Sequence, residues 1–287
     1  MIVEAININK SFDNKKVLKD VSLNLEKGNI TGLVGRNGSG KTTLLKILAG
    51  IYNADSGKFK IDGNSLTVNP KTIEKVAYMP DRFDYFNYDK LKDIPGFYKI
   101  IYPKFDEKFF FDEIAKYNLD IDQNVRNFSK GEKNLLGLIS ILSTNAEVLL
   151  VDEILDGMDV INKRAIIQYL LDARDKDCAV FASSHELAGL SGICDQIYYL
   201  SKDGHLAATN ADENKNINKL QIVVKDELPE EIKEKSVIIS HIGRVYNILI
   251  NLDDKNLEIL LKSPEVVQYD RLEMKVEDYF YMEEGAK

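Results

Sequence analysis

A glycine-rich loop between an apolar run and a leucine-rich run constrains this chain more than any other feature. Residues 35–42 read Gly-Arg-Asn-Gly-Ser-Gly-Lys-Thr, which fits the pattern G-x-x-x-x-G-K-[ST]. The preceding residues 30–34 predict a short strand, and residues 41–51 have leucines at helical spacing. In such a unit, backbone N–H groups, the helix N-terminus and the lysine surround phosphate groups. The chain is therefore predicted to bind a nucleoside triphosphate here.

The composition argues against some classes of partner and metal site. The 287 residues include 44% apolar side chains, which is enough for a substantial core. The formal net charge of -8 repels polyanions, so no nucleic acid is expected as a partner. The cysteines, Cys178 and Cys194, and the scattered histidines have no metal-ligand spacing. We therefore expect a reducing, cytoplasmic compartment and no structural zinc site.

No stretch of the sequence has the pattern of a targeting or membrane-spanning segment. Residues 2–8 alternate like a strand and lack the basic region and long apolar core of a signal peptide. The most apolar stretch, residues 135–142, is far shorter than the roughly 20 residues that cross a bilayer. We expect a soluble chain whose membrane role depends on a partner.

Alternation and spacing predict an α/β fold. Short alternating runs up to about residue 30 are typical of antiparallel hairpins, and the aromatic-rich stretch 82–117 predicts a helical insertion. The apolar runs 148–151 and 179–182, separated by helical residues 162–173, favour parallel strands with a crossover.

Polar residues 209–218 mark the expected domain boundary. They follow a predicted last strand pair at 196–201 and 205–208. We assign residues 1–210 to a main domain and residues 211–287 to a small C-terminal α+β accessory domain. Its expected strands and short helices lie at 220–224, 230–235, 237–241, 246–252, 256–262 and 266–269.

Two carboxylates, Asp152 and Glu153, follow the predicted strand at 148–151. An aspartate at this place can hold Mg²⁺ through water, and the next carboxylate can reach a nucleophilic water. An ordinary strand with an acidic end is the alternative. The glycine-rich loop in the same chain favours the metal and water roles.

With these motifs the chain resembles the ATP-binding-cassette (ABC) ATPases over roughly residues 1–208. Residues 128–132, Phe-Ser-Lys-Gly-Glu, stand where that family has its signature, commonly L-S-G-G-Q. Residues 183–185 resemble the switch histidine, and residues 156–159 resemble the D-loop. The resemblance implies a P-loop NTPase of ABC type, with a mixed sheet, an antiparallel β subdomain and a helical subdomain at about 82–145.

In that family two cassettes meet head to tail, and each ATP lies between the loop of one cassette and the signature of the other. By resemblance, Glu153 polarises the attacking water, His185 bonds the γ-phosphate and Phe12 stacks on adenine. Ser129 and Gly131 are expected to contact the γ-phosphate across the dimer. The expected Mg²⁺ ligands are Thr42, Asp81 and Asp152, and the expected ATP ligands in the loop are Gly35, Asn37, Gly38, Ser39, Gly40, Lys41, Thr42 and Thr43.

Several of these residues have plainer alternatives. Ser129 and Glu132 also form a capping box for the helix that follows. His185 taken alone is more typical of a packed or exposed histidine, and Phe12 of a core residue.

Three positions depart from the family pattern. Asp81 replaces the usual Q-loop glutamine with a shorter, charged side chain, which could alter metal contacts or slow turnover. Lys130 replaces the first signature glycine, a form that resembles a branch of bacterial exporter ATPases. Ile154 stands where a proline is common.

The resemblance implies the ATP-hydrolysing subunit of an ABC transporter, with ATP and Mg²⁺ as cofactors and an exporter favoured. Its expected partners are a separately encoded membrane permease and a second cassette, in a homodimer or a heterodimer, on the cytoplasmic face of the membrane. The aromatic insertion is expected to form a small helical core, and its surface aromatics near Asp81 are candidates to receive the permease. A non-transport ABC ATPase acting on a soluble machine is the alternative.

Overall fold

The computed structural model describes residues 2–13, 15–65, 69–153, 155, 160–185, 190, 192–208, 217–273, 278 and 281. Ile154 and the predicted D-loop at 156–159 lie outside the described residues. The strands are β1 (Val3–Phe12), β2 (Lys15–Leu25), β3 (Ile30–Val34), β4 (Ser56–Ile61), β5 (Val76–Met79), β6 (Val148–Val151), β7 (Ala179–Ser184), β8 (Gln196–Leu200), β9 (Leu206–Ala208), β10 (Ile217–Val224), β11 (Ser236–Ile242), β12 (Val245–Asn251) and β13 (Val266–Leu272). The helices are α1 (Lys41–Leu48), α2 (Ile94–Ile101), α3 (Glu107–Lys116), α4 (Lys130–Leu142), α5 (Val160–Asp175), α6 (Glu230–Lys235) and α7 (Asp254–Leu261).

A mostly parallel sheet with the order β5-β6-β7-β3-β8-β9 forms the centre of the larger part of the chain. The neighbours β5 and β6, β6 and β7, β7 and β3, and β3 and β8 all pair in parallel. Met79 lies opposite Val151, Val151 opposite Ala182, and Val34 opposite Ser184. The carboxyl ends of these strands therefore meet at one edge of the sheet, where α/β proteins commonly bind ligands.

A smaller antiparallel sheet with the order β2-β1-β4 contains the predicted hairpin. Sequence alternation did not identify β4, because most of its side chains are exposed and only Ile61 is buried. It also did not identify β5, which is four residues long. Both strands lie at an edge of their sheets, where the buried-face pattern is weakest.

The helices α2, α3 and α4 pack around the aromatic side chains predicted to form a helical core. Phe83 and Phe110 are fully buried there, together with Ile94 and Leu136. Other apolar side chains of the same segment face solvent: Tyr88 is 82% exposed. The insertion therefore has its own core and an apolar surface.

A second core joins α4 and α5 to the parallel sheet. Leu138 of α4 and Ile166 and Leu170 of α5 pack with Val151 and Val180 of the strands. In the described part of the chain, no helix is both long enough and apolar enough to cross a bilayer.

Residues 1–206 and 207–287 form two compact units. In the second unit, β11-β12-β10-β13 form an antiparallel sheet, and Ile222 and Ile248 of the sheet pack against Leu257 of α7. Lys219 of β10 forms an ion pair with the buried Asp278 at 2.9 Å. The second unit therefore has a hydrophobic core of its own.

Gly137 of α4 gives a test of this packing. A Cβ atom at Gly137 would lie 2.8 Å from Cδ2 of Phe83 and 2.9 Å from Cε of Met79. We expect Gly137→Ala to lower the free energy of unfolding by about 1 kcal/mol, because the buried Phe83 must shift. Gly96→Ala in α2 has open space around its Cβ and is the matched control, expected to unfold at the same or a slightly higher temperature. Thermal unfolding measures both, and equal midpoints would contradict the tight contact.

Candidate nucleotide site

The glycines of the loop are required by the backbone. A Cβ at Gly35, directly after β3, would lie 2.6 Å from the carbonyl oxygen of Leu200 and 2.7 Å from Oγ of Ser39. Gly40 has a φ of +110° and Gly38 has a φ of +82°, in the region that favours glycine. The motif is therefore a conformational requirement of the turn from β3 into α1.

Lys41 begins α1 and is almost fully buried. Its Nζ donates to the carbonyl oxygens of Gly35 at 2.7 Å and Arg36 at 3.3 Å. The same Nζ lies 3.1 Å from Oε1 of Glu153. The structure thus places the expected phosphate-binding lysine directly beside the expected catalytic carboxylate.

The hydroxyl group of Ser39 indicates what the loop can hold. Its Oγ is buried and has no hydrogen-bond partner among the described residues. Buried hydroxyls normally have a partner, and a phosphate oxygen is an acceptor that fits this one. Asn37 lies exposed on the loop, and Thr43 is half-buried in the first turn of α1.

Asp152 is fully buried at the carboxyl end of β6 and is held by several groups. Its N–H donates to the carbonyl oxygen of Met79 at 2.8 Å. The hydroxyl of Ser183 donates to Oδ1 at 2.6 Å, and the hydroxyl of Tyr78 donates to Oδ2 at 3.4 Å. Burial raises the pKa of Asp152, and hydrogen bonds from Ser183 and Thr42 partly offset this rise.

Thr42 and Asp152 are two of the expected metal ligands, and the hydroxyl of Thr42 lies close enough to lower the pKa of Asp152. Mg²⁺ in nucleotide sites commonly takes one or two protein ligands and completes its octahedron with phosphate oxygens and water. Thr42 and Asp152 therefore fit that ion. No group of three or more His, Cys, Asp or Glu side chains in the described part of the chain has the arrangement of a metal site.

Glu153 turns the chain sharply after β6. Its φ is +47°, which is uncommon for a residue other than glycine. Its N–H donates to both the carbonyl oxygen and Oγ of Ser183, at 3.1 and 3.0 Å. These bonds fix the turn while the side chain reaches Lys41.

Asp81 follows β5 and is exposed. It lines a cleft of about 410 Å³ together with Glu153 of the sheet edge and Lys130 of α4. Burial, and next the charges of Asp81 and Asp152, raise the pKa of Tyr85. Asp81 thus lies at the boundary between the sheet edge and the helical segment.

His185 and Phe12 lie at two further positions. His185 is exposed directly after β7, and since Val34 pairs with Ser184 it is level with Gly35. Phe12 ends β1, is 41% exposed, and makes an edge-to-face contact with Tyr52 at 5.7 Å between ring centroids. Phe12 is therefore a surface residue and not part of the core.

The signature residues lie at the start of α4. Ser129 caps the helix: its hydroxyl accepts from the N–H of Glu132 at 3.3 Å, and the Glu132 carboxylate accepts from the N–H of Ser129 at 2.7 Å. The predicted capping box is confirmed. Ser129 is exposed and Gly131 is half-buried. Neither residue is among those that line the cleft with Asp81 and Glu153, although their neighbours Phe128 and Lys130 are.

Sequence patterns did not identify Tyr78 or Ser183 as contacts of Asp152. In the sequence, Tyr78 belongs to no motif, and Ser183 stands only beside His185. Their roles depend on which residues of β5, β6 and β7 lie side by side, and a single sequence does not encode that register in any local pattern.

Comparison with known proteins gives consistent matches. The family model described as ABC transporter matches residues 18–156. The ABC transporter ATP-binding protein YtrB of Bacillus subtilis is 30% identical over 292 residues, covering 100% of this chain and 99% of YtrB. The lipopolysaccharide export system ATP-binding protein LptB of Haemophilus influenzae is 28% identical, covering 74% of this chain and 91% of LptB. The ribose import ATP-binding protein RbsA of Caldanaerobacter subterraneus is 27% identical, covering 93% of this chain and 57% of RbsA.

Solved structures match the fold. An ATP-binding subunit of an ABC transporter has a TM-score of 0.66 and 21% identity, covering 75% of this chain and 92% of that one. A dimeric bacterial ABC transporter cassette has a TM-score of 0.63 and 18% identity, covering 71% of this chain and 96% of that one. At these identities the likeness concerns the fold alone.

The raised pKa of Asp152 predicts how stability depends on pH. Because the pKa is higher in the folded chain than in the unfolded one, the associated stability is present below the unfolded pKa and is lost as pH rises through the folded pKa. At neutral pH, without nucleotide, Asp152→Asn is therefore expected to raise the unfolding midpoint by roughly 2–4 °C. The gain should shrink as the pH falls toward about 4.

Asp226→Asn, which changes an exposed carboxylate in the second unit, is the matched control. Thermal unfolding across this pH range measures both variants. A midpoint for Asp152→Asn below that of the parent at neutral pH would contradict the destabilising charge.

Proposed function

Because this chain belongs to the family of ABC transporter ATP-binding proteins, whose members hydrolyse ATP to power transport, we propose that it drives a separately encoded membrane permease. The observation that carries the proposal is the group of residues at the carboxyl edge of the parallel sheet. Lys41 is paired with Glu153 at 3.1 Å, and the hydroxyl of Thr42 is one of the groups that lower the pKa of Asp152. A lysine, a hydroxyl group and two carboxylates grouped at one site are what phosphoryl transfer to water requires.

In this proposal the loop residues bind the phosphates of ATP, and Lys41 leaves Glu153 to contact the β- and γ-phosphates. Thr42 and Asp152 would hold Mg²⁺, the latter through water, with Asp81 as a further ligand. The ion would supply positive charge close to the phosphates. Glu153, once separated from Lys41, accepts a proton from the attacking water.

The remaining predicted residues complete the site. Phe12 stacks on the adenine ring, and His185 bonds the γ-phosphate from the end of β7. Ser129 and Gly131 of a second cassette cover the same phosphate, so that hydrolysis requires a dimer. Support for this last step is the exposure of Ser129 at the start of α4.

The permease would dock on the aromatic-rich helical insertion, residues 82–117. Tyr85, Tyr88, Phe97 and Ile100 of this segment are 60%, 82%, 46% and 80% exposed. Exposed apolar side chains grouped on one segment are typical of an interaction surface. Through this contact the chain would sit at the cytoplasmic face of the membrane. Residues 1–210 would form the working cassette and residues 211–287 an accessory domain.

We assign export as the direction of transport. The sequence form with Lys130 after Ser129 supports this assignment, and so does the relative LptB, which belongs to an export system. The relative RbsA belongs to a ribose import system. Uptake assays with right-side-out and inside-out vesicles, loaded with ATP on the cassette side, decide between the two directions.

Glu153→Gln tests the hydrolytic role. The amide keeps the shape of the side chain but no longer accepts a proton, so turnover should fall roughly 10²-fold or more while ATP binding persists. ATP should also trap a dimer of this variant, measured by light scattering during gel filtration. Glu107→Gln, an exposed carboxylate on α3 that pairs with Lys99, is the matched control and should hydrolyse normally. Near-normal hydrolysis by Glu153→Gln would remove Glu153 from the role.

Docking is tested with a candidate permease, a protein with several predicted membrane spans. After co-expression, both proteins should purify together in detergent, and Tyr88→Ser with Ile100→Ser should weaken their association roughly 10-fold or more, the scale of losing two apolar anchors. ATP hydrolysis by the isolated double variant should remain that of the parent. The transport proposal is wrong if the chain binds no such protein and hydrolyses ATP equally well as a monomer.

A further inference from the structure

The segment that follows Asp81 is tied to α4 by polar contacts that converge on Lys133. The Nζ of Lys133 lies 3.2 Å from Oδ1 of Asp84 and 2.9 Å from Oδ1 of Asn87. The amide of Asn87 also donates to Oδ1 of Asp84 at 3.3 Å. Lys133 is only 16% exposed and Asp84 32%, so the ion pair is partly shielded from water. We call Asp84, Asn87 and Lys133 the clasp.

Apolar and backbone contacts hold the same segment on both sides of the clasp. Phe83 is buried, and its ring lies where a Cβ at Gly137 of α4 would otherwise be. The N–H of Arg126 donates to the carbonyl oxygen of Asn87 at 3.1 Å, just before the signature residues. The segment 83–87 is thus attached to α4 after Ser129 and to the chain before it.

The clasp also lies between the two halves of the proposed site. Lys133 and Asp84 line the cleft of about 410 Å³ that Asp81 and Glu153 also line. Ser129, one turn before Lys133, lies at the exposed start of α4. A displacement of Asp81 can therefore reach Ser129 through the contacts that hold the segment to α4.

We propose that Lys133 is a positioning residue that, through Asp84 and Asn87, keeps Ser129 in a fixed place relative to Asp81. The inference rests on the proposed function, in which Ser129 of one cassette covers the nucleotide of another. Lys133 does not touch the nucleotide. Its loss affects the step that needs two cassettes and leaves the binding of ATP to one cassette unchanged.

The first test separates binding from turnover in the full chain. Lys133→Met should lower kcat roughly 5- to 10-fold, the scale expected for a partly buried coupled pair, with the ATP Kd of the monomer within about twofold of the parent. Lys133→Arg keeps the charge and should recover most of the turnover. Lys108→Met removes the lysine of an exposed pair on α3 and should match the parent in both quantities. A parental kcat for Lys133→Met overturns the proposal.

Exchanging the charges of Asp84 and Lys133 distinguishes the loss of their ion pair from a general folding defect. Asp84→Lys and Lys133→Asp should each lower kcat. The kcat of the double variant should be roughly threefold or more above that of either single variant, because the ion pair is restored with its charges exchanged. If the kcat of the double variant is no higher than that of the single variants, the proposed role of the clasp is overturned. If the parent neither hydrolyses ATP nor forms an ATP-dependent dimer, the proposed function itself fails, which is a distinguishable result.

Discussion

The parallel register of β5, β6, β7 and β3 is the constraint on which the site depends. Each strand ends at the same edge, and each is followed within two residues by a chemical group: Asp81, Asp152 with Glu153, His185 and the glycine-rich loop. These groups come from segments far apart in the chain. A slip of one residue in any strand would move every side chain to the opposite face of the sheet and move the terminal group away from the others. The buried core between the sheet, α4 and α5 prevents that slip.

Asp152 is a buried carboxylate at the carboxyl edge of the parallel sheet. A carboxylate without exposed surface is costly unless it is hydrogen-bonded. The hydroxyls of Ser183 in β7 and Tyr78 in β5 supply two such bonds. These contacts hold the expected metal ligand in position and offset part of the cost of its burial. Ser183 extends the network by accepting the N–H of Glu153 at 3.0 Å.

The sequence predicted the parts of this site that depend on local chemistry. The loop from Gly35, the carboxylates after β6 and the cap at Ser129 follow from residue spacing that a helix or strand end makes meaningful. The family and the α/β fold followed from the order of these motifs. The contacts of Tyr78 and of Lys133 did not, because both arise from segments brought together only by packing. The exposed strand β4 was missed for a related reason, since a strand without a buried face lacks the alternation that predicts strands.

The contact between Lys41 and Glu153 limits which anions can bind in the loop. Any anion that approaches must compete with a carboxylate already 3.1 Å from the ammonium, and it must do so in a site that also contains the negative charge of Asp152. A ligand with one phosphate offers little more than the carboxylate it displaces. A chain of phosphates that also reaches the backbone N–H groups of the loop, accompanied by a divalent cation, gains enough to make the exchange favourable. In the proposed function, discrimination against monophosphates would therefore begin within one cassette.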